Sequence, residues 1–153
     1  MFNEVRNFLP LSETLFTGGM PKAEQLTDAA QQGVEVVINL APHDVHDALP
    51  NEAELVNSLG MKYINIPVNW NAPTKAGFDR FVAVMEENQG RKIFVHCQAN
   101  FRASAFASMY RILRQGWKPD DALNMMHKIW NEKDYPIWKM FIEDTLKRSR
   151  EGL

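Results

Sequence analysis

The chain has a single cysteine, Cys97, in 153 residues. That excludes an internal disulfide and any cysteine-rich zinc cage. Charge of one sign is also scarce. Lys and Arg number 17 against 19 Asp and Glu, a formal net charge of −2. Composition therefore makes no electrostatic case for a nucleic acid or an anionic membrane as partner. Long apolar runs are missing, and none approaches the roughly 18 residues that span a bilayer. The start, MFNEVRNFLPLSE, lacks a basic segment followed by a long apolar stretch. No signal peptide and a cytoplasmic location are expected. Internal repeats, low-complexity tracts and linkers are absent too. What is present, 45% hydrophobic and 24% charged residues, is the composition of a soluble globular protein. The length fits one domain over residues 1–153.

Three segments read as strands: 34–40 (VEVVINL), 61–66 (MKYINI) and 93–96 (IFVH). Each is short, rich in β-branched residues and bounded by breakers. A weaker fourth, 14–17, ends at Gly18-Gly19. Helical spacing lies between and after them. One helix opens at Pro21 and closes at Gly33, a shorter one spans 51–58, and Thr74 caps a third with the stripe Phe78, Phe81, Val82, Met85. Three more follow over 103–115, 119–131 and 136–150. Their Met and aromatic stripes read as core faces. Strands alternating with helices predict an α/β fold with a mostly parallel central sheet flanked by helices. Such a sheet binds ligands beyond the carboxyl ends of its strands. The loops 41–50, 67–74 and 97–102 leave those ends and are expected to converge.

The segment IFVHCQANFRASAF, residues 93–106, carries the chemistry. A strand ends at His96, Cys97 opens a short loop, and Arg102 sits where a helix begins. Free N–H groups at a helix start favour an anion of phosphate, sulfate or sulfane type. The same field favours thiolate over thiol at Cys97. Arg102 can fork onto two oxygens of a tetrahedral anion, which lysine does not match. His96 can donate to the backbone near Cys97 and fix the loop. Singly, Cys97 reads as a buried strand-end hydrophobe and Arg102 as a solvated helix residue. The strand–loop–helix order gives weight to the joint reading.

His-Cys followed shortly by Arg at such a turn resembles the cysteine-dependent protein tyrosine phosphatase superfamily. With LFTGGMPKAEQL, GVEVVINLAP, YINIPVNWNAPT and the helix at 78–85, the chain resembles its bacterial branch known as domain of unknown function 442, also called beta-lactamase-hydrolase-like. The resemblance covers roughly residues 10–130 and implies a phosphotyrosine phosphatase-like fold. It implies that Cys97 is the nucleophile on phosphorus, that Arg102 binds the phosphoryl oxygens, and that no metal or other cofactor is needed. His96, Cys97 and Arg102 are the expected catalytic set. Gln98, Ala99, Asn100, Phe101, Ala103 and Ser104 are the expected substrate-binding loop.

The chain departs from the tyrosine phosphatase pattern at four points. Four residues, not five, separate Cys97 from Arg102, which is also the rhodanese spacing. Asn100 stands where relatives often have glycine, and asparagine tolerates a positive φ. Ala103 replaces the usual Ser or Thr after the arginine, with Ser104 one place later; a back-bonded helix serine is its simplest reading. Finally, the loop where an aspartic general acid belongs reads PVNWNAPT, residues 67–74, and has no carboxylate. Asn69 and Asn71 cannot supply a proton there, and Trp70 reads as a pocket wall or a packed side chain. The loop at 41–50 holds His43, Asp44, His46 and Asp47. Asp44 or Asp47 could replace the missing acid, and the histidines titrate near neutral pH. A solvated polar loop or a metal site would use the same residues.

The leading expectation is a phosphatase-like hydrolase of tyrosine or dual-specificity type, acting on phosphomonoesters through a cysteinyl-phosphate. Its partner would be a phosphorylated small anion or a phosphoprotein. The alternatives are a sulfurtransferase with a Cys97 persulfide, acting on a sulfur-containing anion, and a non-catalytic module that grips phosphate or sulfate.

Overall fold

The computed structural model describes residues 1–151. Its frame is a five-stranded sheet in the order β1-β2-β5-β3-β4, from β1 (Leu9–Pro10), β2 (Leu15–Gly18), β3 (Val36–Asn39), β4 (Lys62–Asn65) and β5 (Ile93–His96). All pairings are parallel except β1 on β2. The β1 edge is new relative to the sequence reading. Two residues ending in Pro10 carry too little pattern to announce a strand, and proline is at home on an edge. The crossover helices are α1 (Ala23–Gln31), α2 (Glu52–Ser58) and α3 (Lys75–Glu87); α4 (Phe101–Arg114), α5 (Pro119–Met126) and α6 (Pro136–Glu151) follow β5.

Both β3 and β5 are buried at every position. Period-two alternation sorts their side chains. Val36, Ile38, Ile93, Val95 and Cys97 join the core under α3, α4 and α6, with Phe81, Phe106 and Trp138. Val37 and Phe94 face the other way, into a smaller core with Phe2, Leu26 from α1 and Val56 from α2. Parity therefore sends Asn39 and His96 towards the α1–α2 layer and Cys97 towards the α3–α6 layer.

Several helix boundaries differ from the sequence expectation; α1 begins at Ala23, two residues after Pro21. Helix α4 begins two residues early, at Phe101, because Asn100 at φ +68° turns the chain into it at once. Helix α5 stops at Met126 instead of continuing to 131. The segment Glu132–Asp134 forms a 3₁₀ turn, in which Asn131 accepts from the Lys133 N–H and Glu132 accepts from His127 Nε2.

Candidate active site

Strand β5 ends at the sheet centre, so the 97–102 loop emerges between β2 and β3. Helix α4 starts inside the loop. The N–H groups of Gln98, Ala99, Phe101, Arg102 and Ala103 donate to no other group among the described residues; the first helical bond of this turn is Ser104 N–H to Asn100 O. Five free donors in the loop and at the start of a 14-residue helix are the chemistry that suits an anion.

A clasp of two left-handed asparagines holds this turn. Asn7 (φ +52°) donates from Nδ2 to Ala99 O at 2.9 Å. Asn100 donates from Nδ2 to Asn7 O at 2.8 Å and to Thr17 Oγ1 at 3.0 Å. Asn100 is thus a structural anchor with its side chain turned inward, and only the backbone beside it faces the cradle. Met20 N–H donates to Gln98 O, and the adjoining Gly19 packs so closely that a Cβ would lie 2.5 Å from that oxygen. This close approach explains Gly19, while at Gly18 a Cβ would lie 2.8 Å from Val5 Cγ1 and 3.1 Å from the Phe94 ring.

Cys97 is 1% exposed and Arg102 5% exposed. The Arg102 guanidinium is aimed by two acceptors: Nη1 donates to Val68 O at 2.8 Å and Nη2 to Gln98 Oε1 at 2.9 Å. Gln98 Nε2 in turn donates to Asp47 Oδ1 at 2.8 Å. One glutamine thereby bridges the arginine and the 41–50 loop. Of the two aspartates expected there, Asp47 is tied to the 97–102 loop, and Asp44 is exposed with no side-chain bond among the described residues. His43 bonds through Nε2 to the Tyr63 hydroxyl at 3.0 Å, and His46 is exposed. Among the described residues no cluster of three or more His, Cys, Asp or Glu is placed to hold a metal.

Several expected substrate-binding side chains serve other ends. Ser104 is fully buried; its hydroxyl donates to Asn100 O at 2.6 Å and accepts from Trp130 Nε1 at 3.0 Å. It is the back-bonded serine, and its hydroxyl is engaged away from Cys97. Ala103 is fully buried and offers only its N–H. Asn69 and Asn71 are exposed and close a turn on each other, Asn71 N–H donating to Asn69 Oδ1. Phe101 and Trp70 stand in an aromatic cluster with Trp130, Tyr135 and Trp138. Trp138 Nε1 donates to Trp70 O at 2.8 Å. Trp70 is a packed wall.

Sequence reasoning missed Glu52. It is 5% exposed, and its Oε2 lies 2.5 Å from His96 Nε2, while His96 Nδ1 faces Cys97 O at 3.3 Å. Its Oε1 accepts from Asn39 Nδ2. Asn39 also donates to the Tyr63 hydroxyl. Burial pushes that hydroxyl up to about 12; the Asn39 bond opposes the rise and nearby Glu52 adds to it. A readable signal existed: parity turns His96 to the α2 side, and a buried histidine there needs a partner. His96 itself is fully buried, so its ring meets the loop backbone and is closed off from any ligand.

Beside Gln98 opens a cavity of about 350 Å³, walled by Arg6, Met20, Lys22, Asp47 and Leu49 among others. A larger one of about 850 Å³ lies between α3, α4 and α6 and does not reach Cys97.

The chain matches the family described as "DSP-PTPase phosphatase fused to NAD+ Kinase" over residues 7–141. No curated protein matches it. A solved "Putative phosphatase (DUF442)" from Shewanella putrefaciens CN-32 is 36% identical, with a TM-score of 0.88 over 94% of this chain and 91% of that one. TpbA from P. aeruginosa, 19% identical, superposes with a TM-score of 0.76 over 96% of this chain and 90% of its own. PTPMT1, solved with PI(5)P and also 19% identical, has a TM-score of 0.72 over 94% and 99%. These two show the same fold. The coverage of residues 7–141 and the likeness to the Shewanella protein together place the chain in the dual-specificity and tyrosine phosphatase-like family that includes the DUF442 proteins.

Proposed function

We propose that the protein is a cysteine-dependent phosphomonoester hydrolase. The observation that carries this is the cradle at 97–102: five free N–H donors and an aimed Arg102 around the one cysteine. Family membership supports a phosphatase at the level of class. In the first step the Cys97 thiolate attacks phosphorus and the bond from phosphorus to the ester oxygen breaks. The leaving oxygen takes a proton from Asp47, whose Oδ2 has no partner among the described residues. In the second step water attacks the cysteinyl-phosphate, the sulfur–phosphorus bond breaks, and Asp47 takes back a proton. The Arg102 fork and the N–H donors hold the three equatorial oxygens through both steps. TpbA has been solved with phosphotyrosine; we infer that this chain also accepts aryl phosphates. The cavity beside Gln98 offers room for the organic part of a small substrate.

A second reading has one observation in its favour. The four-residue spacing is shared with rhodaneses, for which Cys97 would carry a sulfane sulfur. The test is phosphate release from para-nitrophenyl phosphate across about pH 5–8, with Cys97→Ser measured in parallel. Release that disappears in the variant is expected. Absence of Cys97-dependent release, together with transfer of sulfur from thiosulfate to cyanide, would replace the phosphatase reading by the second.

A further inference from the structure

Two buried titratable side chains lie beneath the catalytic loop, and neither takes part in the hydrolytic steps. His96 is fully buried and Glu52 is 5% exposed. Strand parity turns His96 and Asn39 towards α2, and Asn51 at φ +57° starts that helix with Glu52 as its first residue. The result is a line of contacts from Glu52 Oε2 to His96 Nε2, and from His96 Nδ1 to the Cys97 carbonyl.

The chemistry of the partners fixes where hydrogens sit. A carbonyl oxygen only accepts, so Nδ1 carries a hydrogen. Nε2 then either donates to an ionised Glu52 or accepts from a protonated one. In both cases one proton is shared between Nε2 and Oε2, and the couple has no net charge. The opposite tautomer would set the Nδ1 lone pair against the carbonyl lone pairs. Surrounding donors agree with this arrangement. Ala41 N–H donates to Asn39 Oδ1, which turns Asn39 Nδ2 towards Glu52 Oε1 and the Tyr63 hydroxyl. Tyr63 then donates to His43 Nε2. The titratable groups facing the couple are Tyr63 from β4, His43 through Tyr63, and Cys97; Phe94 stacks on the His96 ring.

We propose that Glu52 is a positioning residue for the anion cradle. It holds the His96 ring in place so that its Nδ1–H draws the Cys97 carbonyl inward, and so aims the Gln98 N–H outward. The peptide joining Cys97 to Gln98 is trans, so its carbonyl and N–H point in opposite directions. This rests on the reading of 97–102 as an oxyanion site.

The test uses the full chain, inorganic phosphate as probe, and nitrogen-15 NMR of the His96 ring. Wild-type Nδ1 should carry a bonded hydrogen across about pH 5–8. Glu52→Gln can donate to Nε2 and accept from Asn39, so Nδ1 should keep its hydrogen and phosphate affinity should stay within about threefold. Glu52→Met leaves Nε2 without a partner. The ring is then anchored on one side only, so its Nδ1–H should exchange faster with solvent, and phosphate should bind about tenfold more weakly, the worth of one good hydrogen bond. A purely structural Glu52 would lower the melting temperature of the Met variant and leave both the Nδ1–H exchange and the affinity of the folded protein unchanged; that result overturns the proposal. If the Met variant does not fold, Glu52→Gln decides. A hydrogen on Nε2 with unchanged phosphate affinity overturns the role. A wild-type protein that binds no phosphate overturns the oxyanion reading and the positioning role together. A wild type that binds with variants that bind equally well overturns only the role of Glu52.

Discussion

The two loops that flank the catalytic turn differ in nearly every respect. The 67–74 loop has no ionisable side chain until its last turn into α3, yet it is held at many points. Val68 N–H donates to Leu40 O, Val68 O accepts from Arg102, Trp70 O accepts from Trp138, and the Trp70 ring packs in an aromatic cluster. The 41–50 loop carries two aspartates and two histidines, and His43, Asp44 and His46 are exposed. Its ties to the site are few: Asp47 to Gln98, and His43 through Tyr63. In the proposed mechanism positioning and proton supply are divided. The clamped loop aims the arginine, and the open loop holds the carboxylate. A loop that lacks an acid can still serve a phosphatase if its neighbour provides one through the bridging Gln98.

The largest expected effect comes from the shared element. Arg102→Lys should lower kcat/KM on an aryl phosphate by about a hundredfold or more, because a lysine point charge cannot serve Val68 O, Gln98 Oε1 and an anion together. Steady-state kinetics check this, and retained activity would break the cradle account. Next is the clamp. Trp138→Ala removes the bond to Trp70 O and a 1%-exposed aromatic, and should cost roughly 3–5 kcal/mol of stability by denaturant unfolding. A cost below about 1 kcal/mol would mean the loop is not clamped through Trp138.

The open loop should respond in catalysis and not in stability. Asp47→Asn should lower kcat about a hundredfold for an alkyl phosphate, whose leaving oxygen needs a proton, and much less for para-nitrophenyl phosphate. Asp44→Asn should change neither by more than about twofold, since Asp44 touches nothing in the site. Equal losses for both aspartates would remove the distinction drawn between them.

The smallest effect concerns Tyr63, which joins the open loop to the buried couple. Its folded value is raised from 10 to about 12, so the folded state holds this proton longer than the unfolded chain. The resulting stability is fully present below about pH 10 and is lost as pH rises from about 10 towards about 12. Tyr63→Phe should flatten that part of the stability–pH curve. An unchanged alkaline slope would show that Tyr63 is not its source.

Much of this was legible from residues. The β-branched runs at 34–40 and 93–96, with breakers at their ends, located the central strands, and the order strand, His96-Cys97, Arg102, helix located the cradle. The 67–74 loop could be seen to lack a carboxylate, and the 41–50 loop to hold two. Which aspartate approaches the 97–102 loop, however, depends on a contact to Gln98 across 51 residues of sequence, and no local pattern encodes it. Glu52 was hidden for a related reason. A carboxylate in a helix first turn is ordinary on dipole grounds, and only the parity of β3 and β5 reveals that this one points inward. Asn100 was judged by its tolerance of positive φ, which holds at +68°, and its clasp with Asn7 came from the fold.

The proposed hydrolysis requires Cys97 to form a bond to phosphorus. The most direct measurement is rapid acid quench of wild-type protein turning over para-nitrophenyl phosphate, followed by mass mapping of the peptide that contains Cys97. The account predicts a mass gain of one phosphoryl group on Cys97, absent in Cys97→Ser. No phosphoryl adduct during active turnover, or a one-sulfur gain from thiosulfate in its place, would contradict it.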